Sequence, residues 1–94
     1  MKKATIDLTN CKYLMELHER IRVGLDLQEG YGRNWSAFWD EINRNINYDF
    51  ITVKGSNTVA DELKESVKLM RELLEDNKQD WANSKCPVDY EFVD

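Results

Sequence analysis

Along the chain, short stretches of alternating apolar and polar residues are separated by longer stretches in which apolar residues recur every three or four positions. This two-period pattern predicts strands joined by helices. Lys3 to Leu8 puts Ile6 and Leu8 on one face and reads as a first strand. Thr9 or Asn10 can then cap a helix from Lys12 to about Leu25, with Leu14, Leu17, Ile21 and Leu25 as its apolar stripe and Glu16, Glu19, Arg20 and Arg22 opposite. Gly24 weakens the last turn of that helix. From Asp26 to Arg33, Gly30 and Gly32 flank Tyr31, a composition suited to a tight surface loop. Asn34 is a good cap for a short aromatic helix that places Trp35, Phe38, Trp39 and Ile42 at helical spacing and ends near Asn45 to Asn47.

Tyr48 to Lys54 is rich in aromatic and β-branched residues and gives the clearest strand, closed by Gly55 and Ser56. A long amphipathic helix follows from Asn57 or Thr58 to about Lys78, with Val59, Leu63, Val67, Met70 and Leu74 on one stripe and Leu73 beside it. Its first turn can separate as a short extra helix. After a polar connection containing Trp81 and Asn83, Pro87 introduces a last strand from Val88 to Val93. Strands joined by helical crossovers pair in parallel, so the expected architecture is α/β: a small three-stranded parallel sheet with helices packed on it, in one domain spanning residues 1–94.

The 94 residues can form one core but not two. Hydrophobic residues make up 41% of the chain and charged residues 33%, a globular composition. The formal charge of -5 argues against nucleic-acid binding, which needs clustered Lys and Arg, and is compatible with a basic protein partner or with solubility alone. No apolar run approaches the roughly 20 residues a bilayer span needs, and the N-terminal stretch is too polar for a signal-peptide core, so the expected compartment is the cytosol, with no membrane partner. Cys11 and Cys86 have no metal-type spacing and read as reduced, partly buried thiols. His18, the single histidine, lies beside the apolar face of the first helix and reads as a hydrogen-bonded structural residue. One histidine cannot supply an acid and base pair, and no phosphate-binding loop, metal cluster or nucleophile motif is present, so neither enzymatic activity nor a cofactor or metal is expected. Asp61, Glu62, Glu65, Glu72, Glu75 and Asp76 are interspersed with lysines and read as a solvated helix face.

The most specific stretch is Tyr31-Gly32-Arg33-Asn34-Trp35-Ser36-Ala37-Phe38-Trp39-Asp40, preceded by Leu17-His18. Tyr31, Gly32, Asn34, Ala37, Phe38, Trp39 and Asp40 match, in order and spacing, the signature Tyr-Gly-x-Asn-x-x-Ala-hydrophobic-Trp-Asp, and on these residues the chain resembles the barstar family of ribonuclease inhibitors. The resemblance is clear from Leu17 to Ile42; elsewhere the chain agrees in the order of its elements. It implies a barstar-like fold in which the loop and second helix enter the cleft of a nuclease, with the Asp40 carboxylate standing where a phosphate of RNA would lie. The partner-contact residues it implies are Tyr31, Gly32, Asn34, Trp35, Ser36, Trp39 and Asp40, with Asn43 and Arg44 extending the helix face. Arg71-Glu72 resembles a pair in the family's last helix whose acid, here Glu72, supports the interface edge.

This sequence also departs from the family pattern. Ser36 stands where the family pattern has a second aspartate, Arg33 replaces an acid, Gly30 a loop tyrosine and Trp35 a leucine. Two positions stay open on the residues themselves. Trp35 is either core or an interface anchor, with the interface favoured because Phe38 and Ile42 already define a core line; Tyr31 is either a plain loop aromatic or a contact. The expected function is a one-to-one inhibitor of a basic ribonuclease or nuclease toxin domain, an immunity protein or antitoxin that is monomeric when free. The alternative is an interaction module of the same fold whose partner is not a nuclease.

Overall fold

The alternation in Lys3-Ala4-Thr5-Ile6-Asp7 becomes strand β1 (Lys3–Asp7), with Ala4 and Ile6 buried and the residues between them exposed. The computed structural model describes residues 2–45, 48–79 and 88–93. Helix α1 (Leu14–Gly24) follows, then helix α2 (Trp35–Asp40), which runs directly into a π-helical turn (Glu41–Asn45). Strand β2 (Phe50–Lys54) leads through two 3₁₀ turns (Ser56–Thr58 and Asp61–Leu63) into helix α3 (Lys64–Gln79), and strand β3 (Asp89–Val93) ends the sheet.

The sheet order is β1-β2-β3 and both pairings are parallel. Ala4, Ile51 and Tyr90 lie side by side in register, as do Ile6, Val53 and Phe92, so one face carries the apolar row. Thr5, Thr52 and Glu91 line up on the other, where the Thr52 hydroxyl donates to Glu91 at 3.2 Å. Strands that advance in one direction through crossovers of one hand receive their helices on the same side, which is why these strands alternate where those of larger parallel sheets are uniformly apolar. The expected α/β architecture is the observed one.

Between sheet and helices sits one core, in which Ile6, Leu8, Leu17, Ile21, Phe38, Ile51, Val53, Met70 and Leu74 are fully buried. Tyr90 and Phe92 are only half-buried on β3, where the Tyr90 hydroxyl donates to Glu75 and the Arg71 guanidinium lies over the Phe92 ring. Cys11 is a buried free thiol whose pKa is raised by burial and then by Glu16. The connection expected around Trp81 and Asn83, with Cys86 and Pro87, lies outside the described residues.

Three expectations about element ends are corrected. α1 starts at Leu14, not Lys12, because Asn10 takes a left-handed conformation (φ 58) and donates its backbone N–H to the Thr58 hydroxyl. Neither Thr9 nor Asn10 is the cap; Thr9 is bound to Asp7, and the Glu16 carboxylate reaches back to the Lys12 N–H. Leu14, at the new helix start, is exposed and outside the core. The long helix begins only at Lys64; its first turn separates as a short extra helix, the alternative that the sequence allowed, because Val59 and Ala60 are extended between the two 3₁₀ turns. Val59 and Leu63 still bury their side chains, so the apolar stripe is preserved while the backbone changes.

Gly24 is more than a weak last turn. A Cβ at this position would sit 2.6 Å from the Thr5 carbonyl oxygen and 3.0 Å from Ile6 Cα, so the glycine lets α1 lie directly on β1. Gly24→Ala is expected to destabilise the fold by about 1–3 kcal/mol through overpacking against backbone, read as a lower urea midpoint with an unchanged slope. A midpoint at or above the parent's would show that the helix can shift without loss.

Candidate partner-binding surface

α2 is six residues long, too short to persist by hydrogen bonding alone. Phe38 and Ile42 bury their side chains in the core, each contributing roughly 1.5–3 kcal/mol of transfer energy. The Asn34 cap adds about 1 kcal/mol: its Oδ1 accepts the Ala37 N–H at 2.7 Å while its Nδ2 donates to the Gly32 carbonyl at 3.0 Å. A side chain at Gly32 would meet Ala37 Cβ at 3.1 Å, whereas Gly30 has open space around it. The glycine of the Tyr-Gly pair is therefore the one the loop geometry needs.

The loop before α2 is held from inside. Tyr31 is buried, and its hydroxyl shares a 3.0 Å hydrogen bond with His18 Nδ1. The Trp35 ring lies 4.6 Å from the imidazole and meets Phe38 edge-on at 5.5 Å. The ring of Tyr31 is thus an internal strut, and the expectation of a contact through it is corrected: two flanking glycines made it look exposed, but the hydroxyl finds its partner within the chain. Trp35 is half-buried, closing over His18, so it belongs to the packing and to the surface together. Arg33, in a left-handed conformation (φ 49), pairs with Glu19 of α1 at 2.9 Å, and Arg22 holds the same carboxylate. The hydrogen bonds from Arg22 and then Arg33 lower the Glu19 pKa to about 2.

Ser36 and Asp40 are exposed one turn apart on α2, and Trp39 is half-buried beside them. Asn43 turns inward, donating to the Trp39 carbonyl at 2.7 Å and accepting from Asn77 at 2.9 Å. Arg44 is on the π-helical turn, and its side chain lies outside the described residues. Glu72 is exposed on α3, where it borders a shallow groove with Glu65, Ser66, Lys68 and Leu69. It is about 140° around the helix from Asn77, the α3 residue bonded to the π-helical turn, so the structure does not bring Glu72 to the α2 surface.

Beside α2 runs a groove of about 800 Å³ whose walls include Asp26, Asp40 and Glu41, with Lys2 at its border over the Tyr48 ring. Among the described residues none of these three carboxylates lies in an ion pair. Asp26 and Glu41 were not anticipated; Glu41 simply follows the motif, while Asp26 reaches the groove through its left-handed backbone (φ 54), which no sequence period announces. An exposed, uncompensated carboxylate on a capped helix, at the rim of an acidic groove, is suited to accept charge-assisted hydrogen bonds from a cationic partner. Among the described residues no group of His, Cys, Asp and Glu is placed to hold a metal.

The buried imidazole makes a test of the internal strut. Burial, and then the Arg33 charge, hold the His18 pKa below its ordinary 6.5. As the pH drops below that value the unfolded chain binds a proton that the folded chain refuses, so stability is complete above it and falls on acidification until the folded pKa is reached. The Glu19 contribution is lost later, below its ordinary 4.5 and toward 2. The urea midpoint of the parent is expected to decline as the pH falls below 6.5, and His18→Gln, which can still hydrogen-bond to Tyr31, is expected to flatten that decline. An equal slope in the variant would assign it to other groups.

A family model described as Barstar (barnase inhibitor) matches residues 1–93, essentially the whole chain. A search of curated proteins finds no match.

Proposed function

Because the chain belongs to the barstar family, whose members inhibit barnase-type ribonucleases, we propose that it blocks the active site of a basic ribonuclease with α2 and the loop before it. The observation that carries the reading is the Asp40 carboxylate, exposed on a capped helix and in no ion pair among the described residues. A ribonuclease site must be cationic to hold phosphate, so a fixed carboxylate can occupy the phosphate position without offering a bond to cleave. Asp26 and Glu41 on the groove wall extend the negative field and draw a basic enzyme in, an effect that salt weakens. The protein acts as a plug and performs no chemistry. The complex is one-to-one, the free inhibitor is a monomer, and its physiological role is that of a cytosolic immunity protein or antitoxin. No helix of the described residues is long and apolar enough to cross a membrane.

A second reading, an adaptor of the same fold with a partner that is not a nuclease, draws on Ser36 and Arg33. One exposed carboxylate on α2 is less than the family pattern has there, and the Arg33 cation is tied to Glu19. A pull-down that returns only proteins without nuclease activity would favour it.

Mixing the protein with a basic ribonuclease of the barnase type should abolish RNA cleavage when that enzyme is its target, and full cleavage at excess protein across such enzymes would count against inhibition. Asp40→Ala is expected to weaken binding by about 3–5 kcal/mol, roughly a hundredfold or more, because the partner's cations are left buried and unpaired. Its melting temperature should stay close to the parent's, since the carboxylate is exposed and in no ion pair among the described residues. Calorimetry that gives equal affinity for parent and variant would remove Asp40 from the contact.

A further inference from the structure

Asn77 is a fully buried polar residue on α3, far in sequence from the motif. Its Nδ2 donates to Asn43 Oδ1 at 2.9 Å and approaches the Ile42 carbonyl at 3.4 Å, and its Oδ1 accepts the Val88 N–H at 2.9 Å. Asn43 in turn donates to the Trp39 carbonyl at 2.7 Å. One amide thus links α3, the entry to β3 and the junction where α2 passes into the π-helical turn.

That junction needs outside donors. The last carbonyls of a helix lack intrahelical partners, and a π-helical turn shifts the pairing by one residue, so carbonyls near the change of register depend on side chains. Asn43 serves the Trp39 carbonyl and Asn77 turns toward the Ile42 carbonyl, which fixes the register at which Trp39 and Asp40 leave the helix. A fully buried amide is retained at a desolvation cost that its bonds must offset, and here those bonds converge on the exposed helix and its neighbouring strand.

We infer that Asn77 is a positioning residue for the partner-facing helix, holding the π-helical turn so that Asp40 is presented in one fixed direction. The inference rests on the reading of α2 as the inhibitory element. It assigns to Asn77 the supporting role on the last helix that sequence resemblance gave to Glu72. Asn77 itself touches no partner, since it is fully buried.

Two variants test it. Asn77→Asp keeps an acceptor for the Val88 N–H and removes the amide donor, while Asn77→Ala removes both. In the free protein, both are expected to shift the backbone amide resonances of residues 39–45 more than those of α1; unmoved resonances there would overturn the inference. Affinity for the ribonuclease inhibited in the assay above should fall at least tenfold in both. Combined with Asp40→Ala, the losses should be less than additive, by fivefold or more, because a misdirected helix has already forfeited part of what Asp40 supplies. Additive losses would make Asn77 a residue of the fold alone and overturn its positioning role. Should neither variant fold, nuclease binding to the parent must move the side-chain amide resonances of Asn77, and unmoved resonances would refute the coupling. If the parent inhibits no ribonuclease, the inhibitor reading fails, and the spectra of the free variants still decide whether Asn77 positions the helix.

Discussion

The surface depends on anchoring a helix that cannot stand alone. α2 has six residues, and what keeps it formed is the burial of Phe38 and Ile42 in the core beneath it. Every exposed group on its outer side inherits its direction from those two buried ones. The sheet supplies the floor: Ile6, Ile51 and Val53 share one continuous apolar face because the strands are parallel and in register. Core packing and partner presentation are therefore one problem, and a change that loosens Phe38 would be felt at Asp40 before it was felt at the far end of α3.

Around that anchor, polar groups are sorted by whether they hold the loop or face outward. His18, Tyr31, Arg33, Glu19 and Asn34 spend their hydrogen bonds on each other or on the local backbone. Asp40, by contrast, is in no ion pair among the described residues, and neither are Asp26 and Glu41 on the groove wall. A surface built this way loses little conformational entropy on association, because the loop is ordered beforehand, and keeps its charge available for the partner.

Much of this was legible in the residues. The strands, the helical stripes and the parallel order follow from two periods, and the motif from Tyr31 to Asp40 falls on the loop and helix that expose a carboxylate. What escaped the pattern was direction and long-range pairing. The glycines beside Tyr31 signal a loop but not that its phenol turns inward to His18, a residue thirteen positions earlier. The helical period includes Val59 and Leu63 in the α3 stripe because both are buried, yet it cannot report that the backbone at Val59 and Ala60 is extended. Asn77 left a trace: Val67, Met70, Leu74 and Asn77 continue one apolar spacing, and a polar residue in such a row signals a buried hydrogen bond. Glu72 lies off that row, and only the rotation of the helix separates the two.

The departures from the family pattern shift charge and do not erase it. Arg33 stands where an acid is expected, but its guanidinium is bound to a carboxylate already shared with Arg22, so it closes the loop onto α1 in place of adding a free cation to the contact surface. The same cation disfavours a charge on His18 and so helps to keep the strut neutral. Ser36 withdraws one negative charge from the exposed face of α2, while Asp26 and Glu41 place two on the adjoining groove. A partner complementary to this arrangement needs a cation over Asp40 and others displaced toward the groove. On the proposed inhibitor reading, discrimination among basic nucleases follows from the spacing of their cations, because a partner built for two acids on the helix would leave one of its own charges desolvated against a hydroxyl.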